Sequence, residues 1–186
     1  MPPRLTFIAN ASTPAVRAAA FPLDEGIDDV GRQDAAALAS QFTNFSAVLS
    51  SPAKRAIETA TALNLRPEID PSLRDLDLGD WSGQSLKSVA ASDPHGFESW
   101  LSDTNFAPHG GETVDQLFAR ASVWLEDISA RDGRILAVTH PSFIRAAILA
   151  AIHAGPTSFW NIDVAPLAVV QLTSNGRRWA LRSIAN

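Results

Sequence analysis

Three side chains in separate stretches of this sequence have the chemistry to bind and process an anion. Arg55 lies in Ser51-Pro-Ala-Lys-Arg-Ala, Asp75 in Leu-Arg-Asp-Leu, and His140 in Val-Thr-His-Pro. A planar guanidinium can bind two oxygens of a phosphoryl group, and a histidine can donate to a third as charge builds. A carboxylic acid can supply the proton that a leaving group needs. These residue types predict acid–base or phosphoryl chemistry if the fold brings them together.

His140 is the residue whose surroundings are clearest in the sequence. The preceding run Ile135–Val138 is short, apolar and rich in branched residues, which predicts a buried parallel strand. Pro141 suits the first turn of a following helix. His140 is therefore expected at the carboxyl end of a strand, where α/β sheets place ligands and where a helix N-terminus favours anions. A capped or solvated histidine is the alternative interpretation of this residue taken alone.

The other elements follow from apolar periodicity and turn residues. Leu5–Ala9 and Phe45–Ser50 are predicted strands, each followed by turn formers and helix caps, with Ser51 as an N-cap and Pro52 as the first helical residue. Residues 15–20 form a helical turn or are irregular. The predicted helices span residues 30–42, 53–63, 85–91, 94–101 and 113–130, and residues 167–172 and 179–184 form a hairpin around Ser174-Asn175-Gly176.

This order of elements predicts one α/β domain over residues 1–186, a three-layer sandwich with a mainly parallel sheet flanked by helices. A small helical insertion is expected at about 84–107. The carboxyl ends of parallel strands meet at one edge of a sheet. Asn10, the segment 51–55 and His140 are therefore expected to converge, although they are far apart in the chain.

Composition excludes several other classes of protein. The formal net charge of −5 argues against a nucleic-acid-binding surface, and the absence of cysteine excludes disulfides, a thiol nucleophile and the usual structural zinc sites. No histidine pair has the spacing of a metal site, so we expect no metal. The N-terminus lacks a signal-peptide pattern, and the apolar stretch 143–152 is too short to span a bilayer. We expect a cytoplasmic protein with no membrane partner.

Four segments together resemble the histidine phosphatase superfamily, the phosphoglycerate-mutase-like group. They match its motifs in order and spacing and cover nearly the whole chain. The segments are Ser51-Pro-Ala-Lys-Arg-Ala-Ile-Glu-Thr-Ala60, Leu73-Arg-Asp-Leu-Asp-Leu-Gly-Asp-Trp-Ser-Gly83, Pro108-His-Gly-Gly-Glu-Thr113 and Val138-Thr-His-Pro-Ser-Phe-Ile-Arg-Ala146.

The resemblance implies phosphomonoester hydrolysis in a pocket at the strand ends, without a cofactor, on a phosphorylated small molecule or another oxyanion. It assigns phosphate binding to Arg55, the second pocket histidine to His140, and protonation of the leaving group to Asp75. Glu112 is placed near the pocket, although a helix-start carboxylate explains it almost as well. His109 lies in a segment that could cover the pocket and contact substrate. The oligomeric state, monomer or homodimer, is left open.

The first strand departs from the family pattern. The family has Arg-His-Gly where this chain has Ala9-Asn10-Ala11, so Asn10 stands at the position of the nucleophile. An amide nitrogen shares its lone pair with the carbonyl and cannot attack phosphorus as a neutral imidazole does. Arg17 could replace the lost motif arginine, although a surface position on a helix is as good an interpretation.

The departure allows several functional hypotheses. The pocket could belong to a phosphatase-like protein whose turnover is absent or very weak, through natural loss or an engineered substitution. It could instead be repurposed for the acid–base chemistry of a lyase or isomerase in a biosynthetic pathway. The third hypothesis is a non-catalytic binding protein.

Overall fold

The computed structural model describes residues 2–185, which form a six-stranded sheet with the order β3-β2-β4-β1-β5-β6. The first four of these strands are parallel to one another, and β5 and β6 run antiparallel to their neighbours. The strands are β1 (Arg4–Ala9), β2 (Ala47–Ser50), β3 (Glu68–Ile69), β4 (Arg134–Thr139), β5 (Val169–Ser174) and β6 (Trp179–Ala185).

In the described part of the chain, seven α-helices connect and cover these strands. They are α1 (Pro14–Arg17), α2 (Asp29–Leu38), α3 (Lys54–Ala62), α4 (Leu86–Ser92), α5 (Pro94–Ser102), α6 (Val114–Ser129) and α7 (Pro141–Ala151). Short 3₁₀ turns follow at 39–41, 71–73, 79–81 and 156–161. The predicted α/β fold with a mainly parallel sheet between helices is confirmed, and the antiparallel pair at one side makes the sheet a mixed one.

Alternation along the central strand β1 divides the interior into two layers. Phe7 is fully buried on the side of α6 and α7, and the next residue, Ile8, is fully buried on the side of α2 and α3. Both faces of a parallel strand must be covered, so the strands read as continuous apolar runs. The resulting rigid sheet fixes where each strand ends and hence where the loops begin.

The segment that was predicted as a helical insertion carries α4 and α5. Helix α5 contributes Phe97 and Trp100 to an aromatic cluster that also contains Phe21, Trp81 and Trp160. Phe21 and Trp81 are stacked, and the other pairs are edge to face or tilted. Offset-stacked and edge-to-face contacts are the favoured arrangements of aromatic pairs. The cluster attaches α5 to the loop around Trp81. The extent of the insertion, about 84–107, stays a prediction.

The structure differs from the sequence analysis at two places, one wrong helix cap and one strand that was not predicted. Ser51 does not cap α3, because the helix begins at Lys54 and its N-cap, Ala53, has no side-chain hydrogen bond. The Ser51 hydroxyl is used elsewhere, as described below. The two-residue edge strand β3 was not predicted, since its exposed residues Glu68 and Ile69 show no alternation long enough to read.

No helix within residues 2–185 has both the length and the apolar character needed to cross a bilayer.

Candidate functional site

Three neighbouring strands bring polar residues to one edge of the sheet. Asn10 follows β1, Ser51 follows β2 and His140 follows β4, and these strands lie side by side in the order β2-β4-β1. All three residues are buried, Asn10 being 5% exposed and the other two fully enclosed. The parallel arrangement thus unites residues that are up to 130 positions apart in the chain. We call the cavity at this edge the strand-end pocket.

Both ring nitrogens of His140 are bonded within the protein. Nδ1 lies 3.0 Å from Asn10 Oδ1, and Nε2 lies 2.7 Å from Ser51 Oγ. The Asn10 amide nitrogen donates to the Ala11 carbonyl, so its oxygen faces the imidazole as an acceptor. Nδ1 therefore carries the proton, and the Ser51 hydroxyl donates to Nε2. This fixed tautomer explains the role of Ser51 that the sequence did not reveal.

Burial lowers the pKa of His140 to about 4, with the nearby guanidinium groups of Arg55 and Arg120 acting in the same direction. The carboxylate of Asp75 opposes the shift but does not overcome it. His140 is therefore neutral at pH 7. It can donate a hydrogen bond through Nδ1, whereas proton abstraction by Nε2 would require the Ser51 hydroxyl to leave.

Arg55 and Asp75 form the charged part of the pocket. Arg55 Nη2 donates to Asp75 Oδ2 at 2.8 Å, and Nη1 donates to the Leu23 carbonyl at 2.9 Å. The same Asp75 oxygen lies 3.5 Å from His140 Nδ1. The Arg55 guanidinium and the His140 imidazole thus both face Asp75 Oδ2, and the Asp75 carboxylate occupies the space between them.

The pKa of Asp75 lies below its ordinary value. Burial alone would raise it, but the positive charge that His140 carries when protonated, the charge and hydrogen bond of Arg55 and a hydrogen bond from the Leu76 backbone N–H outweigh that effect. Asp75 is consequently a carboxylate at neutral pH. In this state it pairs with Arg55 and has no proton to give, so the predicted role as an acid requires Asp75 to be protonated first.

The strand-end pocket opens as a small cavity of about 160 Å³. Its polar lining residues are Asn10, Thr13, Arg55, Asp75 and Ser142, and the rest of the wall is apolar. The apolar wall is formed by Ala15, Val16, Ala20, Pro22, Pro141 and Pro166. A ligand of this cavity would place a small polar group inward and an apolar part against α1 and its neighbouring loops.

Arg17 lies outside this lining. Its Nε donates to Asp28 Oδ2 at 2.6 Å, and its side chain is 54% exposed. Asp28 caps α2 by accepting from the Gly31 N–H, which is the main reason why its pKa falls to about 2. The structure therefore places Arg17 at a helix cap on the surface, and not beside Arg55.

Glu112 is buried and ion-paired, and it does not line the strand-end pocket. Its carboxylate accepts from Arg120 Nε at 3.0 Å and Nη2 at 2.7 Å. Arg120 also donates to the carbonyls of Ser72, Arg74 and Asp75. Arg120 is thus a positioning residue that holds the Asp75 loop. The sequence analysis did not identify Arg120, because it lies on the amphipathic helix α6, where a charged residue is usually part of the solvent-exposed face.

His109 is buried among aromatic rings and does not line the cavity. Its ring lies 5.1 Å from that of Trp81 and 6.2 Å from that of Trp100, and Nδ1 accepts from the Gly111 N–H. Burial lowers its pKa, against the opposing charge of Asp77. Within residues 2–185, no group of three or more His, Asp or Glu side chains is arranged to hold a metal ion.

Comparison with known proteins gives a family match over most of the chain. The family model of the histidine phosphatase superfamily (branch 1) matches residues 16–186. Glucosyl-3-phosphoglycerate phosphatase from Mycolicibacterium vanbaalenii is 32% identical over 157 residues, covering 75% of this chain and 68% of that protein. The bifunctional protein Rv2228c from Mycobacterium tuberculosis is 30% identical over 162 residues, but this chain spans only 44% of its length.

Solved structures agree with this match. Mycobacterial glucosyl-3-phosphoglycerate phosphatase Rv2419c in complex with VO3 superimposes with a TM-score of 0.87 at 25% identity, covering 96% of each chain. Phosphoserine phosphatase from Entamoeba histolytica in complex with 3-phosphoglyceric acid gives 0.88 at 19% identity over 99% of this chain and 97% of that one, which shows the shared fold. The extent of the family match and the identity to these relatives lead to one conclusion: this chain belongs to the histidine phosphatase superfamily.

Proposed function

We propose that the strand-end pocket binds a phosphorylated small molecule and that the chain has little or no turnover through a phosphohistidine. The observation that carries this proposal is the contact between Asn10 Oδ1 and His140 Nδ1 at the end of β1. We infer that Asn10 stands where the family has its nucleophile. An amide at that position can orient His140 but cannot form the phosphoenzyme.

His140 is a poor substitute for the missing nucleophile. It is fully buried, and both of its nitrogens are engaged by Asn10 and Ser51. The other histidines are remote from the chemistry, since His109 packs among tryptophans and His95 and His153 are exposed. Ser51 is itself fully buried behind the pocket wall, which argues against a serine nucleophile. The residues around the pocket therefore support ligand binding better than covalent turnover.

The chemistry of the polar wall supports an anionic ligand. Arg55 is the guanidinium in the wall, and Asp75 currently neutralises it at 2.8 Å. A phosphate that entered would replace the Asp75 carboxylate as the partner of the Arg55 guanidinium. The names of two relatives agree with a phosphorylated small molecule: glucosyl-3-phosphoglycerate phosphatase and, from Hydrogenobacter thermophilus, phosphoserine phosphatase 1.

Restoring the nucleophile tests the catalytic half of the proposal. We expect the unmodified chain to hydrolyse phosphoserine, 3-phosphoglycerate and p-nitrophenyl phosphate at background rates. Asn10→His should raise the rate by at least about a hundredfold, because a missing nucleophile typically costs several orders of magnitude. Asn10→Ala is the matched control, since it alters the same position without adding an imidazole, and it should stay at background.

The opposite results would contradict the proposal in different ways. Ordinary enzyme rates from the unmodified chain would show that Asn10 does not abolish turnover.

Binding is measured separately by calorimetry with orthophosphate and vanadate, where Arg55→Gln should weaken binding. Unchanged binding in that variant would remove Arg55 from the phosphate site.

A second hypothesis rests on the lining of the cavity. Six of its residues are apolar, which suits an organic ligand better than inorganic phosphate. A repurposed pocket would then use Asp75 as a base, since the lowered pKa of His140 makes the imidazole a weak one. Binding of an uncharged ligand that survives Arg55→Gln would favour this function.

A cytoplasmic location stays a prediction, and so does an organisation as a single domain.

A further inference from the structure

A second cavity lies at the opposite edge of the sheet from the strand-end pocket. It has a volume of about 500 Å³, within the range of small-molecule sites. Arg4 and Arg134 are the first residues of β1 and β4, whereas Asn10 and His140 follow the last residues of these strands. At about 3.3 Å per strand residue, the six steps from Arg4 to Asn10 separate the two ends of β1 by roughly 20 Å. We call this second cavity the arginine cleft.

The arginine cleft is a polar area on a face that is otherwise apolar. Arg4, Thr6 and Ile8 share one face of β1, on which Ile8 packs against the layer of α2 and α3, Thr6 is 8% exposed and Arg4 lies at the exposed end. At the end of the face where the strands β1 and β4 begin, arginine side chains line the cleft together with hydroxyl and amide groups. The residues in question are Arg4, Thr6, Arg134, Gln171, Thr173 and Arg182.

Within residues 2–185, the three arginines have no carboxylate partner. None of the described residues that line the cleft is acidic, and Arg4, Arg134 and Arg182 form no ion pair with another residue of the range 2–185. Arg134 instead lies over the ring of Phe45 at 4.8 Å. This concentration of positive charge occurs on a chain with a formal net charge of −5. Its local field attracts anions although the protein as a whole repels them.

The spacing of the arginines indicates a ligand with more than one charged group. Arg4 and Arg134 are directly paired on adjacent strands. Arg182 lies on β6, two strands from β1, at a register shift that adds a residue to this strand opposite Gln171 and Leu172. Such bulges redirect a side chain. Because neighbouring strands are about 4.8 Å apart, the backbones of Arg4 and Arg182 are on the order of 10 Å apart. This distance exceeds the size of one phosphate group.

We propose that the arginine cleft is a binding site for a small polyanion, whose charges are carried by several phosphate or carboxylate groups. Arg4 and Arg134 bind one end of the ligand and Arg182 binds the other. Thr6, Gln171 and Thr173 contribute hydrogen bonds between them. The site goes beyond the proposed function, because it shares no residue with the strand-end pocket.

Titration calorimetry of the full chain with tripolyphosphate and with citrate tests this proposal and distinguishes the two kinds of charge. At least one of them should bind, more weakly as sodium chloride is raised. Arg4→Gln/Arg182→Gln should weaken that binding by about tenfold or more, because it removes a guanidinium from each end of the ligand. Orthophosphate should bind the cleft at least about tenfold more weakly than the longer anion, since it cannot reach both ends.

The matched control is Arg66→Gln/Arg177→Gln, which removes the same charge at two exposed positions outside the cleft. It should change the affinity less than about twofold. A ligand-induced rise in Tm, lost only in the cleft variant, provides a second readout on folded protein. The proposal is overturned if neither polyanion binds, if both double variants lose affinity equally, or if Arg55→Gln abolishes the binding.

Discussion

The strand-end pocket and the arginine cleft lie at opposite edges of the same sheet and treat their charges differently. In the pocket, Arg55, Asp75 and His140 contact one another or the backbone, and the protein supplies its own anion. In the cleft, Arg4 and Arg182 have no carboxylate partner within the described chain. The pocket must give up an internal interaction to admit a ligand, whereas the cleft gives up only water.

This contrast predicts different consequences for stability, and the largest is expected at Arg120. Arg120→Met would leave the buried Glu112 with only the exposed Arg74, 3.5 Å away, as a partner and would release three carbonyl groups of the Asp75 loop. Breaking one side of such a pair typically costs about 3–5 kcal/mol of unfolding free energy. Urea denaturation measures the loss.

Two controls make this measurement specific. Glu112→Leu/Arg120→Met should be less destabilised than Arg120→Met, because it leaves no buried charge without a partner. Arg4→Gln, in the cleft, should change the unfolding free energy by no more than about 0.5 kcal/mol. An equally small effect of Arg120→Met would show that the Asp75 loop does not depend on this network.

The next effect concerns pH and the buried imidazole. The pKa of His140 is about 4 in the folded protein and about 6.5 when unfolded. Between these values the unfolded state binds more protons, so stability falls as the pH is lowered from 6.5 to 4. A shift of this size corresponds to a loss on the order of 3 kcal/mol.

Chemical denaturation across this pH range, compared with His140→Gln, measures the contribution of the imidazole. The variant should show a flatter profile above pH 4, since glutamine does not titrate. Part of the slope should persist, because burial also lowers the pKa of His109. An unchanged profile in His140→Gln would mean that the imidazole is not held neutral by the fold.

The smallest effect expected concerns the competition between Asp75 and a ligand. Asp75→Asn is nearly isosteric and frees Arg55 from its carboxylate partner at 2.8 Å. We expect orthophosphate to bind about tenfold more tightly, the equivalent of one charge-assisted hydrogen bond. Calorimetry at pH 7 measures this change, and binding of polyanions in the arginine cleft should not change. Weaker phosphate binding would mean that the Asp75 carboxyl group itself supports the ligand.

The sequence was most informative about backbone elements with strong periodicity. The strand before His140 and the helix after it were predicted, because an apolar run, a turn and a proline allow few other arrangements. The convergence of Asn10 and His140 follows from the parallel order of β1 and β4. These inferences rest on geometry that every parallel sheet shares.

Side-chain partners were less predictable, since they depend on distances that the sequence does not contain. Ser51 was assigned to a helix cap but binds His140, and Glu112 pairs with Arg120 eight residues later. Arg17 forms an ion pair with Asp28, the N-cap of helix α2, and so does not enter the pocket. A charged side chain pairs with the partner that the fold places nearest, and its position in a motif does not decide this.

The location of β1 has a consequence for how this protein acquires its structure. The strand is formed by residues 4–9, yet its two neighbours in the sheet begin at residues 134 and 169. Loops of this length close slowly, because their entropy is lost before any contact forms. The first strand of the chain must therefore stay unpaired until segments far along the polypeptide have been made. A fragment that begins at residue 16 would have a gap in the middle of its sheet, and we expect it to aggregate through the two open edges.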